Sequence, residues 1–235
     1  MKIENCVALV TGANRGLGRA IAEALLRAGA AKVYAAARDP ASVNLPGAIP
    51  VQLDVTDAAS VRAAAGQCPD VTLLVNNAGI ALGSGFLGEQ AEDRARQEMD
   101  TNFFGPLATS RAFAPALAVG GGGAIVNVLS VLSWLNVPGQ ATYGASKAAA
   151  WALTNGLRGE LESQNTQVVG VHVGYMDTDM TDGIDVPKTR PEDVAAQILA
   201  ALEAGEDEVL ADALSRQVKD SLSAQPGVYL RPPAG

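Results

Sequence analysis

Seven short apolar runs punctuate the chain at Cys6–Val10, Lys32–Ala37, Ile49–Leu53, Val71–Asn76, Ala124–Leu129, Val168–Val173 and Glu208–Leu210, and a helical pattern fills five of the six gaps between them. This alternation constrains the fold more than any other feature of the chain. A strand that is apolar at successive positions must be covered on both faces, and an intervening helix returns the chain to begin the next strand in the same direction. The pattern predicts an α/β fold, a doubly wound and mostly parallel seven-stranded sheet with helices on both faces. The expected helices span Leu17–Ala28, Ala58–Ala65, Glu92–Val119, Ala141–Ser163, Glu192–Glu203 and Leu214–Leu222, with Pro115 expected to kink or end the third.

No linker interrupts the pattern, so one domain spanning 1–235 is expected; Gly83–Gly85 and Gly120–Gly123 are punctuation between elements. The formal charge of −8 speaks against a nucleic-acid surface, which would need clustered Lys and Arg. No apolar stretch approaches the roughly 18 residues needed to cross a bilayer, and Glu4 and Asn5 stand where a secretory signal would be apolar. A cytoplasmic protein without membrane contact is expected. Cys6 and Cys68 are too few for a disulfide framework, and Cys6 reads as a small buried residue of the first strand.

In a sheet of this kind ligands bind beyond the carboxyl ends of the strands. Gly12, Arg38, Asp54, Asn76, Ser130 and Gly174 all fall at or just past expected strand ends, so they converge on one rim. After the first strand the chain reads Thr11-Gly12-Ala13-Asn14-Arg15-Gly16-Leu17-Gly18 and enters a helix. A strand, a glycine-rich turn and a helix start are what a dinucleotide's pyrophosphate needs, because backbone N–H groups and the helix dipole then face its negative charge. Farther on, Tyr143 stands four residues before Lys147, a spacing that puts a phenol and an ammonium on one helical face. A cation held close favours the phenolate and makes tyrosine a usable general acid or base.

These motifs together resemble the short-chain dehydrogenase/reductase family, in its main catalytic branch and of the NADP(H)-preferring carbonyl reductase type. Thr11-Gly12-x-x-x-Gly16-x-Gly18 matches the family's cofactor turn, Asn76-Asn77-Ala78-Gly79 its strand-four motif and Tyr143-x-x-x-Lys147 its catalytic pair; Asp54, Asn102 and Ser130 fall in the family's order between them. The resemblance runs from Thr11 to about Thr178 and implies a single Rossmann-like domain, its N-terminal part mainly binding cofactor and about 124–235 carrying catalysis and substrate binding. It implies hydride transfer between a nicotinamide and a carbonyl carbon, in which Tyr143 passes the proton and Lys147 holds the ribose and lowers the tyrosine pKa. Ser130 would polarise the substrate oxygen, and Asn102 would fix a water that links Lys147 to solvent. The resemblance assigns cofactor binding to Thr11, Gly12, Asn14, Arg15, Gly16, Leu17, Gly18, Arg38, Asp54, Val55, Asn76, Ala78, Gly79, Tyr143 and Lys147. Gly174 and Thr178 join them from Val173-Gly174-Tyr175-Met176-Asp177-Thr178, where Val173 replaces the family's proline.

Cofactor preference turns on the end of the second strand, where an NAD site places an acid for the ribose hydroxyl and an NADP site places cations. By the resemblance, Ala37 occupies the slot of the acid, Arg38 follows it, and Arg15 is a second guanidinium suited to a 2′-phosphate, so NADP(H) is expected. A slip of two residues would put Asp39 in that slot and reverse the preference. His172, the sole histidine, reads as structural, and no serine-hydrolase elbow or metal-ligand spacing is present. A cofactor-sensing module without turnover shares the fold, but it has no need of the Ser130, Tyr143 and Lys147 set.

The expected substrate is a small, uncharged, apolar carbonyl compound or alcohol. The loops Ala81–Leu87, Val131–Val137 and Tyr175–Arg190 offer Phe86, Leu132, Trp134, Leu135, Tyr175 and Met180 as pocket walls. Gly144, Ala145, Ala148, Ala149 and Ala150 give the Tyr143 helix a small-residue surface, and the resemblance implies a homodimer or homotetramer formed through it.

Overall fold

The computed structural model describes residues 1–230. One sheet holds β1 (Val7–Thr11), β2 (Lys32–Ala37), β3 (Ile49–Gln52), β4 (Leu73–Asn76), β5 (Ala124–Val128), β6 (Gln167–His172) and β7 (Glu208–Leu210) in the order β3-β2-β1-β4-β5-β6-β7. Every strand pair is parallel. The chain reverses its direction of winding between β1 and β4, which opens a crevice above their carboxyl ends.

Helices α1 (Gly16–Arg27) and α6 (Pro191–Ala204) cover one face; α2 (Ala58–Gln67), α4 (Gly105–Val119) and α5 (Ala141–Leu161) cover the other. Successive residues of one strand serve opposite cores: Ala8 and Val10 pack with Ile21 and Ile198, while Leu9 packs with Phe113 and Leu157. That double coverage is why the strands are apolar throughout rather than alternating. A third, smaller cluster joins Val131, Trp134 and Leu135 to Val218 of α7 (Ala213–Asp220), so the segment after β5 rests on the C-terminal helix.

The expected single helix over 92–119 is three segments. α3 (Ala91–Met99) passes through a π-helical turn at Asp100–Phe104 before α4 begins. Pro106 explains the widened turn, since it cannot donate to the carbonyl four residues back and its ring crowds that group. Pro115 does not end the helix; α4 continues past it to Val119. Pro115 and Arg111 both lie on the exposed side, where water can satisfy the carbonyl that the proline leaves unbonded.

Candidate active site

The glycine turn is built for close backbone approach. Gly12 and Gly16 have φ of 65° and 53°, the left-handed region open to glycine. A Cβ on Gly18 would lie 2.3 Å from the Gly12 carbonyl oxygen and 2.5 Å from Asn77 Nδ2, so α1 can press against the turn only without one. Arg15 precedes α1 with no side-chain cap, and the first helical turn holds no acid, so its N–H groups remain available to an anion. Asn14 is half-buried, Arg15 exposed and Leu17 buried in the core beneath the turn.

Thr11 and Asn76 reach the rim, but their side chains bind within the protein. Thr11 Oγ1 accepts from the Asn77 and Ala78 N–H groups at 2.9 and 3.0 Å and donates to the Val75 carbonyl at 3.2 Å. Asn76 donates to Asn127 Oδ1 at 2.8 Å and accepts from Thr109 Oγ1 at 2.7 Å, and Asn127 donates on to Thr154 Oγ1 at 2.9 Å. These buried chains lock the ends of β1, β4 and β5 in register. Asn127, Thr109 and Thr154 were not among the sequence-derived site residues. A lone asparagine in the apolar strand Ala124-Ile125-Val126-Asn127-Val128 was the available signal, since a buried amide demands partners.

Arg38 lies exposed just past β2, beside a cleft of about 570 Å³ lined also by Gln52, Asp54, Asp57 and Ser60. Asp54 Oδ1 accepts from both the N–H and the hydroxyl of Thr56, at 2.9 and 2.7 Å, and these bonds hold its pKa below the usual carboxylate value with a smaller push from Arg38. Val55 is buried against the second core. Asp39 caps the short turn Pro40–Ser42, accepting from the Ala41 N–H at 3.0 Å. Arg15 pairs at 2.9 Å with Asp179, which together with Gly16, Arg19 and Thr178 lines a second opening of about 350 Å³.

The proton-transfer candidates meet beyond β5. Tyr143 and Lys147 lie on α5, with Lys147 Nζ 5.7 Å from the phenol ring centroid. Lys147 is buried and donates to the Val128 carbonyl at 2.8 Å. Asn102, carried by the π turn, donates from Nδ2 to the Ile80 carbonyl and to Ser146 Oγ and accepts from the Ile80 N–H, all at 2.9 Å. A Cβ on Gly79 would stand 3.1 Å from Asn102 Oδ1 and 3.6 Å from Lys147 Nζ, so this glycine keeps the space between them open. Ser130 caps the turn Val131–Ser133 by accepting from the Leu132 N–H at 3.1 Å; its own hydroxyl proton stays free to donate, and it neighbours the Tyr143 hydroxyl.

In the protein's own field burial pushes Tyr143 up to about 12, partly opposed by the Ser130 hydroxyl and reinforced by Glu98. Burial also pulls Lys147 down to about 8. Burial weakens the Lys147 charge, and its ammonium is engaged by the Val128 carbonyl.

Glu98 is another residue absent from the sequence reading. Fully buried on α3, it accepts from the Leu82 and Gly83 N–H groups at 2.7 and 3.4 Å and so fixes the loop beside Asn102. On the opposite rim Gly174 donates to Asp212 Oδ2 at 2.6 Å, and Thr178 lies beside Gly16, whose added Cβ would meet Thr178 Cγ2 at 3.4 Å. The pocket walls differ from expectation at two positions. Trp134 and Leu135 are buried in the third core cluster, drawn inward by Val218, whereas Phe86, Tyr175 and Met180 are exposed. Among the described residues no group of three or more His, Cys, Asp or Glu is placed to hold a metal ion, and no helix is long and apolar enough to cross a membrane.

A parallel sheet with a glycine cradle at its switch point and a Ser-Tyr-Lys set on the same rim defines a nucleotide-binding oxidoreductase fold. The family description "short chain dehydrogenase" matches residues 6–188, and the chain belongs to that family. It is 43% identical to a short chain dehydrogenase from Burkholderia cenocepacia J2315 whose crystal structure is in complex with NADP, with a TM-score of 0.92 over 96% of each chain. It is 33% identical to the 3-oxoacyl-[acyl-carrier-protein] reductase FabG of Salmonella typhimurium, over 87% of this chain and 85% of that protein. A further relative is dehydrogenase/reductase SDR family member 7B of Bos taurus, 30% identical over 97% of this chain and 80% of that protein.

Proposed function

We propose that this protein is an NADP(H)-dependent oxidoreductase that interconverts a ketone or aldehyde and an alcohol. The observation that carries the reading is the convergence of Ser130, Tyr143, Lys147 and Asn102 beside a turn in which Gly12 and Gly16 take the left-handed backbone and Gly18 lets α1 press close. The first turn of α1 would hold the pyrophosphate, with Asn14 and Leu17 shaping the turn. Asp54 and Val55 would meet the adenine, Ala78 and Gly79 would leave room for the ribose and nicotinamide, and Gly174 and Thr178 would close the nicotinamide end. When bound, the reduced nicotinamide supplies a hydride to a carbonyl carbon.

The protein's own residues supply the proton and its placement. Ser130 donates to the substrate oxygen and builds up charge there before transfer. Tyr143, kept protonated by burial at neutral pH, gives its proton to the oxygen as it becomes an alcohol. Lys147 holds its ammonium against Val128, next to the space that Gly79 leaves, where ribose hydroxyls would accept from it. Asn102 fixes Ile80 and Ser146, so it holds the floor of the pocket and the helix that carries Tyr143. Tyr143→Phe should lower kcat by about 100- to 10,000-fold, the usual contribution of a placed acid, with NADPH affinity unchanged; kcat within threefold of wild type would sink the assignment.

Preference for NADP(H) is supported by three features. Ala37 ends β2 without an acid, Arg38 is exposed beside the cleft, and one carboxylate oxygen of Asp39 is engaged by its cap bond to Ala41. The Arg15–Asp179 pair is exposed, worth at most about 1 kcal/mol, and a phosphate could displace Asp179 from it. Support also comes from the Burkholderia relative crystallised with NADP. The ratio of kcat/KM for NADPH over NADH should exceed one and collapse in Arg38→Leu. A wild-type ratio below one would instead assign NAD.

For the substrate, the exposed Phe86, Tyr175 and Met180 favour an uncharged apolar carbonyl compound. Better turnover of an acyl-carrier thioester, the substrate type in the name of the Salmonella relative, than of aryl ketones would overturn that choice. We read the protein as a cytoplasmic homo-oligomer.

A further inference from the structure

The chain's one histidine is at the end of β6, fully buried, with no place in the proton transfer just described. Its Nδ1 lies 3.2 Å from the backbone oxygen of Ser130. A carbonyl oxygen can only accept, so Nδ1 carries the hydrogen. The same oxygen accepts from the Ser133 N–H at 3.0 Å, and Val131 N–H donates across to the Val173 carbonyl at 3.0 Å. Ser130 and its neighbour Val131 are therefore held by His172 and Val173, at and just past the end of β6, through side chain and backbone together.

The imidazole also stacks on Trp134, with ring centroids 3.8 Å apart and planes 17° from parallel. Trp134 meets Trp151 of α5 edge-on at 6.3 Å, and Lys219 Nζ stands 5.1 Å from the Trp134 ring centroid. Lys219 pairs at 2.8 Å with Glu208, whose other approach is to His172 Nε2 at 3.6 Å. Three elements thus converge on the turn that follows Ser130: β6 through His172, α5 through Trp151 and α7 through Lys219.

We propose that His172 is a positioning residue for Ser130, donating from Nδ1 to its carbonyl and stacking on Trp134 so that the Ser130 hydroxyl keeps a fixed aim at the substrate oxygen. The inference rests on the oxidoreductase reading given above. The charged groups that face the ring are Glu208 on β7, Lys219 on α7 and Arg158 on α5. Burial pulls the His172 pKa down to about 4, opposed by the bond to the Ser130 carbonyl and by Glu208 and aided by Lys219 and Arg158, so the ring is neutral at physiological pH. Lys219 has a definite task in this arrangement: by engaging Glu208 it keeps that carboxylate from drawing a proton onto Nε2.

Because the chain has one histidine, long-range proton–nitrogen correlation on uniformly labelled protein at pH 7 reads the tautomer directly. A protonated Nδ1 with a bare Nε2 is the expected result; an Nε2–H tautomer or an imidazolium overturns the proposal without any activity measurement. Kinetically, His172→Leu should lower kcat/KM for a ketone by about tenfold, equal to about 1.4 kcal/mol of barrier, with NADPH affinity within about twofold. His172→Asn, whose amide can still donate to Ser130, should recover part of the loss. A leucine variant as active as wild type, or an asparagine variant no better than leucine, overturns it. Should either variant fail to fold, Lys219→Met serves instead, and the His172 resonance should then titrate at higher pH than in wild type; an unmoved titration counts against the arrangement. If wild-type protein reduces no carbonyl compound with NADPH, the oxidoreductase reading fails, and the tautomer alone still decides the His172 contact.

Discussion

A lysine ammonium buried at the end of a sheet is costly, and Lys147 shows how much of the proposed catalytic arrangement the fold must hold against its own interest. Its pKa, moved from 10.5 to about 8, corresponds to about 3 kcal/mol of unfavourable burial of the charged form. The bond to the Val128 carbonyl at 2.8 Å returns part of that. Lys147→Met should therefore stabilise the unliganded protein by about 1–2 kcal/mol at pH 7 while abolishing turnover. The advantage fades with alkali. The folded protein releases the lysine proton near pH 8 and the unfolded chain holds it to about 10.5, so wild-type stability climbs across that window and the variant's advantage shrinks. Tyr143 acts oppositely, its raised pKa costing stability only from about pH 10 to 12. Urea midpoints of both proteins at pH 7 and pH 9.5 make the comparison; a variant less stable than wild type at pH 7 would show that the ammonium is compensated by contacts other than Val128.

At the scale of elements, the strand-to-helix turn after β1 is held by contacts too close for any side chain but hydrogen. The Gly12 carbonyl, 2.3 Å from a Cβ built on Gly18, is backbone, and Asn77 Nδ2 at 2.5 Å is already tied to the Thr11 carbonyl at 2.9 Å. Neither can yield cheaply, so Gly18→Ala should cost about 1–3 kcal/mol and lower NADPH affinity at least tenfold. Gly16→Ala is the control: its Cβ would meet only Thr178 Cγ2 at 3.4 Å, and its φ of 53° strains alanine by about 1–2 kcal/mol. Calorimetric melting and cofactor titration of both variants test the order; equal affinities in the two would refute the close-packing explanation. These local elements were legible in the sequence because each is written in contiguous residues: apolar runs for strands, glycines for the turn, and Tyr143 and Lys147 at one helical spacing. The π turn that carries Asn102 was not, because it arises where Pro106 interrupts a pattern that otherwise reads as one helix. Nor were the Asn76–Asn127–Thr154 chain or the Glu98 clamp on Leu82, whose partners are remote in sequence and meet only once the sheet is assembled. The same gap misplaced Trp134 and Leu135, whose apolar character fitted a pocket wall as well as a core until α7 was found packed against them.

Across the whole molecule the outer face of α5 raises the question of assembly. Small residues on this helix divide into two sets that spacing alone did not separate. Gly144 and Ala150 seat the helix on its own protein; a Cβ on Gly144 would lie 2.2 Å from Asn136 Oδ1. Ala145, Ala152, Gly156 and Gly159 instead face outward, and a Cβ on Gly156 or Gly159 would meet nothing within 4 Å. A face of this kind permits another helix to approach closely, and glycine within it lowers helix stability by about 1 kcal/mol relative to alanine, a cost that a purely solvent-facing helix has no reason to keep. We expect light scattering to give a mass that is a multiple of 24.0 kDa for the wild type and a smaller multiple for Gly156→Arg. That substitution adds a good helix former into open space, so its melting temperature as a monomer should not fall for reasons internal to the fold. A wild-type mass of 24.0 kDa would show that α5 has no partner and that its outer glycines need another explanation.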